Sequence, residues 1–276
     1  MSTERGQDLW NGRAPQWQHV ATPLRPDAED VRLTEDLVAG VCAAERAPRA
    51  ALLGVTPELA QMRWPAGTLL VSLDYSIGMI RGVWPARSVT IPAVAVCGDW
   101  RAMPLRDRSL DVMVGDGSYN ALDCLADYTA MSQEIRRVLR LDGRLVLRFF
   151  VRPAEAESSG AVFEDLNAAR IGSFHVFKWR LAMALHGDLG TGVRLGDVWD
   201  AWNASVPDPV ALAHYLDWPL AVVTAIDAYK GADTCYTFPT YDEIRSLLAP
   251  FLDEVSCHTP NYEIGDRCPT FVFKPR

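Results

Sequence analysis

The chain predicts an α/β protein built on a doubly wound, mostly parallel sheet with helices on both faces. Two observations lead there. Between residues 50 and 151, short runs that are apolar on both sides alternate with longer amphipathic stretches, the pattern of strands buried beneath crossover helices. At the ends of four successive runs stand Gly54, Asp74, Asp99 and Asp116, small and acidic residues where the ligand crevice of such a sheet opens. With 276 residues, 49% of them apolar and 22% charged, the chain can bury a large core and is not compositionally disordered.

The elements follow in order. Residues 1–49 read as an N-terminal helical cap. Trp10, Trp17 and Val20 recur at near-helical spacing, Pro23 and Pro26 interrupt them, and a second helix runs over about 27–44 with Val31, Leu33, Leu37, Val38 and Val41 on its apolar stripe. Strands are expected over 50–55, 68–73, 91–97, 110–114 and 143–151. Helices are expected over 57–63, with Thr56 as N-cap and Pro57 at the first helical position, over 76–83, and over 119–139. The rhythm then stops. Residues 153–239 show helical patterns, such as 163–170, 174–185 and 209–229, and no clear strand; they include Trp179, Trp199, Trp202 and Trp218. Too apolar for a linker, they are expected to form an α-helical insertion. A helix over 241–248 and strands over 251–257 and 270–273 complete the sheet, seven strands in all. No helix fits between the last two strands, so the final one pairs antiparallel. The core is thus 50–152 together with 240–276.

The net charge of −8 disfavours a phosphate backbone as partner. The densest basic run, Arg136, Arg137, Arg140, Arg144 and Arg148, reads as the exposed face of a helix and the strand after it. The six cysteines form no CxxC pair, so they are expected to be reduced, mostly buried thiols. Residues 1–8 lack an apolar signal core, and no apolar run is long enough to span a bilayer. A cytoplasmic protein with no nucleic-acid or membrane partner is expected. Oligomeric state is not readable.

Each strand end offers a chemistry. Gly54 lets the backbone approach a ligand, with Val55 and Thr56 beside it. Asp74 can accept both hydroxyls of a ribose, or cap the helix that follows. Asp99 can accept an exocyclic amine, or cap its own turn, and Trp100 offers a flat apolar wall. Asp116, followed by Gly117, can neutralise a ligand ammonium or simply shape a turn. Together they describe a pocket for an adenosine with a cationic tail. Asp116, Asn120 and Asp123 also suit an ordinary polar helix face, and no metal site is expected.

Ala51-Leu-Leu-Gly-Val-Thr-Pro-Glu-Leu, Leu73-Asp-Tyr-Ser-Ile-Gly-Met, Cys97-Gly-Asp-Trp with Met103-Pro-Leu and Ser109-Leu-Asp-Val-Met-Val, and the stretch from Glu134 to Arg148 resemble, in order, the motifs of class I, Rossmann-like S-adenosylmethionine-dependent methyltransferases. The resemblance implies that S-adenosylmethionine is the cofactor. Gly54 and its neighbours would meet its methionine part, Asp74 the ribose, and Asp99 and the Trp100 backbone the adenine. Tyr75 and Met79 would line the ring, and Asp116 would sit near the methionine end. The first motif departs from the family, with Thr56 and Glu58 where later glycines usually stand and Leu52 where an acid is common.

The expected activity is methyl transfer to a small-molecule acceptor. The atom methylated is left open. Tyr119 and His175 are the candidates for lining or activating the acceptor, although a histidine on an apolar helix also serves packing. Two rivals stand beside this reading. One is a non-catalytic cofactor- or partner-binding member of the same fold. The other, a nicotinamide-dependent oxidoreductase, would call for GxGxxG after the first strand, which is absent.

Overall fold

In the computed structural model, residues 14–43, 47–122 and 124–276 are described. Trp10 and Asp123 therefore lie outside the described residues. Among the described residues nine strands occur: β1 (Arg49–Leu53), β2 (Leu69–Asp74), β3 (Ala93–Cys97), β4 (Leu110–Asp116), β5 (Leu139–Arg148), the two-residue pair β6 (Val193–Arg194) and β7 (Cys235–Tyr236), then β8 (Leu252–His258) and β9 (Thr270–Pro275). Seven of them form one sheet in the order β3-β2-β1-β4-β5-β9-β8. The first five pair in parallel, and β9 runs antiparallel to both β5 and β8. The expected mixed, seven-stranded sheet is the one observed. Strand order reverses between β1 and β4, which places the ligand crevice beyond their carboxyl ends.

Alternate side chains of the central strands feed two cores. Leu53, Leu73, Met113, Leu147 and Phe271 pack on one face against α4 (Leu125–Val138) and α10 (Tyr241–Leu248). Ala50, Leu52, Val112, Val114 and Val146 pack on the other with Val38, which belongs to α1 (Ala28–Val41). That is why these strands read as continuously apolar. The remaining helices are α2 (Pro57–Ala60), α3 (Ile77–Val83), α5 (Ser159–Asn167), α6 (Phe174–Ala184), α7 (Leu195–Ser205), α8 (Pro209–Tyr215) and α9 (Leu220–Thr224).

Several boundaries differ from the sequence expectation, each for a physical reason. The helix expected over 119–139 is split. Tyr119–Ala121 is a single 3-10 turn, and Leu122 then extends. The Asn120 amide donates to the carbonyls of Phe150 and Thr237, both at 2.7 Å, and its oxygen accepts the Phe150 N–H at 3.0 Å. Those tertiary bonds hold the turn away from the helix. β5 starts at Leu139 with no intervening loop, because α4 runs straight into it. Gly143 lies within that strand; a Cβ there would stand 3.0–3.1 Å from three backbone oxygens. Thr56 occupies the N-cap position but makes no side-chain cap bond.

Between β5 and α10 lie α5–α9, which share a core of their own that includes Phe174, Phe177, Trp179, Leu181 and Trp202. Helix α6 is buried along most of its length. The expected helix over 209–229 is broken into α8, α9 and a 3-10 turn at Ala225–Tyr229, since Pro219 cannot continue α8. The short β6–β7 pair was not foreseen. Cys42 and Cys268 are buried, but Cys97 is exposed and the other three cysteines are intermediate, so fewer thiols are buried than expected.

The largest correction concerns Arg148. It is not part of an exposed basic face but is 3% exposed at the end of β5. Its guanidinium donates to Asp116 at 2.6 Å, to Asp30 of α1 at 2.8 Å, to Tyr262 at 2.8 Å and to the Pro23 carbonyl at 3.0 Å. Burial opposes its charge, yet Asp116, Tyr262 and Asp30 outweigh that and hold its proton far more tightly than usual.

Replacing Arg148 with methionine leaves two carboxylates buried without their cation. Urea unfolding should show a loss of about 3–5 kcal/mol. Breaking the exposed Arg245–Glu254 pair by Arg245→Met should cost about 1 kcal/mol or less.

Candidate functional site

The crevice is built from the ends of β1, β2, β3 and β4. Gly54 closes β1 with φ +99°, a conformation that favours glycine. A Cβ at Gly54 would stand 3.9 Å from both Asp74 Oδ2 and Trp100 Cζ2. Three of the residues singled out in the sequence thus converge from three separate strand ends. The Gly54 N–H donates to the Leu73 carbonyl at 2.7 Å, and the Trp100 indole N–H donates to that same carbonyl at 2.7 Å. The indole is thereby fixed as a wall beside the glycine.

Asp74 stands just before α3 but leaves the N-cap position to Ser76. Its Oδ1 accepts the Ser76 N–H at 2.8 Å, and the Ser76 hydroxyl caps α3 by accepting from Met79 N–H at 3.1 Å. Its Oδ2 lies on the Gly54 side. Burial pushes the Asp74 carboxyl up to about 6, and the single Ser76 N–H only partly offsets it. An acid held this way gains from any hydroxyl donor placed before it. Val55 and Met79 are buried in a small apolar cluster against Trp17. Thr56 is also buried, and Tyr75 is half-buried.

Asp99 and Asp116 are already engaged. Arg101 grips Asp99 through two side-chain nitrogens, with Nε at 2.9 Å from Oδ1 and Nη2 at 2.7 Å from Oδ2, and holds its carboxyl below the usual range. Arg101 also reaches Asp127 of α4 at 2.9 Å. Asp116 accepts Arg148 Nε; burial raises its pKa by more than Arg148 lowers it, and the charges of Asp30 and Glu58 add to the rise. Gly117, at φ +61°, lies under Phe150, whose ring would be 2.6 Å from a Cβ there.

The two acceptor-side candidates are placed otherwise than expected. Tyr119 is fully buried among Tyr128 and Phe149, with its hydroxyl 2.7 Å from that of Ser132. Burial pushes its pKa well above the ordinary phenol value, so it is a core residue and lines no open site. His175 is 2% exposed on α6, and its Nε2 lies 2.9 Å from the His19 carbonyl. A carbonyl only accepts, so Nε2 carries the hydrogen and Nδ1 is a buried lone pair without a donor. Burial pulls the imidazole down to about 4, with Lys178 adding to the effect.

Two contributors were missed. Arg25, in the segment before α1, donates from Nε to Glu58 Oε1 at 2.6 Å and from Nη1 to the carbonyls of Trp17 and Val20 at 3.3 and 3.4 Å. Glu58 stands in α2, directly after the β1 loop. Its place in the first motif was the available signal; Arg25 had none, because only the fold brings it there. Among the described residues, no group of three or more His, Cys, Asp or Glu is placed to hold a metal ion.

A sheet of this order, with a glycine, an acid and an aromatic wall at its switch point, is the arrangement expected from the resemblance to class I S-adenosylmethionine-dependent methyltransferases. Residues 54–147 match the family model described as a methyltransferase domain, and S-adenosylmethionine is the cofactor. Solved structures share the fold. A Rhodobacter sphaeroides protein provisionally described as a Zn-dependent alcohol dehydrogenase has a TM-score of 0.60 at 11% identity, over 99% of this chain and 98% of that one. The Burkholderia thailandensis 1,6-didemethyltoxoflavin-N1-methyltransferase, with its namesake substrate and S-adenosylhomocysteine bound, has 0.55 at 10%, over 100% and 88%. The N-methyltransferase NodS from Bradyrhizobium japonicum, with S-adenosylhomocysteine, has 0.51 at 10%, over 96% and 98%. At such identities they attest the fold alone. No curated protein matches the sequence. No helix among the described residues is long and apolar enough to cross a membrane.

Two outcomes follow. Asp74→Asn removes a carboxylate whose pKa is raised in the folded state. The wild-type fold takes up its proton near pH 6 and the unfolded chain near 4, so ionisation at higher pH costs stability. Without ligand, the variant should be more stable than wild type above pH 6, by about 3 kcal/mol, and the gap should close below pH 4 in thermal melts. Tyr119→Phe should lose about 1 kcal/mol of stability and keep its S-adenosylhomocysteine affinity.

Proposed function

We propose that the protein transfers a methyl group to a small-molecule acceptor that enters beneath the helical segment 153–239, and that Gly54, Asp74 and Trp100 seat the cofactor. The convergence of these three on one crevice carries the reading. The residues fit the group. Gly54 leaves room where a side chain would intrude, Asp74 Oδ2 can accept ribose hydroxyls, and Trp100, Val55 and Met79 offer apolar walls to a flat ring. Asp99, though held by Arg101, retains lone pairs for an exocyclic amine. When bound, the cofactor supplies an electrophilic methyl on a sulfonium. The chain's task is then to position the acceptor and exclude water.

Helices α5–α9 follow β5 directly, and α6 meets the crevice rim where Trp179 stands edge-on to Phe150, 5.3 Å between ring centroids. That placement suits a cover that reads the acceptor while the sheet holds the cofactor. The Burkholderia protein of this fold holds 1,6-didemethyltoxoflavin beside S-adenosylhomocysteine, in keeping with the reading. His175, with its Nδ1 lone pair on the same helix, is the residue on that cover best suited to accept a hydrogen bond from an acceptor N–H or O–H.

Calorimetric titration of the full chain with S-adenosylhomocysteine should give micromolar binding, lost in Asp74→Ala protein that still folds, with no binding of NADH. Binding of NADH in place of S-adenosylhomocysteine would favour the oxidoreductase alternative. Cofactor binding without turnover on any acceptor offered would favour the non-catalytic one.

A further inference from the structure

We infer that Glu58, fastened by Arg25, receives the cationic amino-acid end of the cofactor. The inference rests on the cofactor site proposed above and deepens it.

Position comes first. Glu58 follows Gly54 by four residues and begins α2 together with Pro57. A side chain on that turn stands next to the strand end where the crevice opens.

The partners of Glu58 leave it half satisfied. Oε1 accepts from Arg25, but Oε2 is buried and has no hydrogen-bond donor. A buried carboxylate oxygen without a donor is costly, and such atoms are rare unless a ligand completes them. An ammonium is the donor that such an oxygen accepts best.

The surrounding charge points the same way. Glu58 is close enough to Asp116 for its charge to raise the Asp116 pKa, as Asp30 also does. Three carboxylates, Asp30, Glu58 and Asp116, face two guanidinium groups, Arg25 and Arg148, which leaves one negative charge in excess among the described residues. S-adenosylmethionine carries an ammonium, a sulfonium and a carboxylate, a net charge of plus one. The cluster is complementary to it, and more so than to the product, which has lost the sulfonium charge.

Arg25 adds a link to the N-terminal segment. It holds the Trp17 and Val20 carbonyls, its guanidinium lies 5.2 Å from the centroid of the Trp17 ring, and Trp17 packs with Val55 and Met79. The segment 17–25 is thus fastened over the first loop through the same carboxylate that meets the ammonium.

The test compares two ligands on the full chain by calorimetry: S-adenosylhomocysteine, and 5′-methylthioadenosine, which keeps the adenosine and lacks the amino-acid part. Glu58→Gln should weaken S-adenosylhomocysteine about tenfold or more, the worth of one charge-assisted bond, and leave 5′-methylthioadenosine unchanged. Glu58→Asp, which keeps the charge and shortens the reach, serves as the second variant should Glu58→Gln not fold, and should give the same one-sided loss. Unchanged affinity for S-adenosylhomocysteine, or equal weakening of both ligands, overturns the inference and leaves the proposed function standing. Wild-type protein that binds neither ligand overturns the proposed function, and this inference with it.

Discussion

Much of the architecture hangs on one buried guanidinium. Arg148 ties the ends of β4 and β5 to α1, to the Pro23 backbone and to Tyr262 in the β8–β9 connection. Tyr262 in turn donates to Asp30 at 3.0 Å, and Asp30 also closes the capping box of α1 by accepting the Asp27 N–H. A charge removed from water is tolerated only where such partners saturate it. Here each partner comes from a different part of the chain. The N-terminal segment, the sheet and the last connection must all be docked before the guanidinium is satisfied, so the crevice rim assembles as a unit.

The helical segment after β5 is anchored to that rim by aromatic contacts. Phe150, two residues beyond Arg148, lies over Gly117, stacks beneath the Arg148 guanidinium at 5.1 Å and meets Trp179 of α6 edge-on. Trp179 continues to Tyr236 and Phe238 at 5.7 and 5.3 Å. The His175–His19 bond joins the same helix to the N-terminal segment. Side chains of α6 therefore meet both Phe150 at the end of the sheet and the N-terminal segment.

The three acids at the strand ends and Glu58 in α2 show how environment divides residues of one kind. Asp74 is buried with a single backbone donor, and its second oxygen faces the glycine. Asp99 is gripped by Arg101 in its own loop. Asp116 is sequestered by Arg148, and Glu58 is half satisfied by Arg25. Of these, Glu58 keeps a buried oxygen without a donor.

Local pattern was enough for the sheet. Apolar runs of strand length, the acid or glycine at each strand end, and the lack of room for a helix between the last two strands set its parallel order and its antiparallel final strand, because such periodicity and spacing act over a few residues. Gly54, Asp74 and Trp100 were legible for the same reason: each sits at a strand end, and strand ends meet at the switch point. Arg148 was misread because an arginine in a basic run looks exposed until Asp30, 118 residues away, is seen beside it. Tyr119 and the helix expected around it failed on a similar contact, since Asn120 bonds to Thr237 across 117 residues. Arg25 and Glu58 meet across 33 residues. Which polar groups are saturated and which are left for a ligand depends on partners brought together from distant parts of the chain, so the class of fold and cofactor could be read from neighbouring residues, while the division of labour among the charged groups was settled only by tertiary packing.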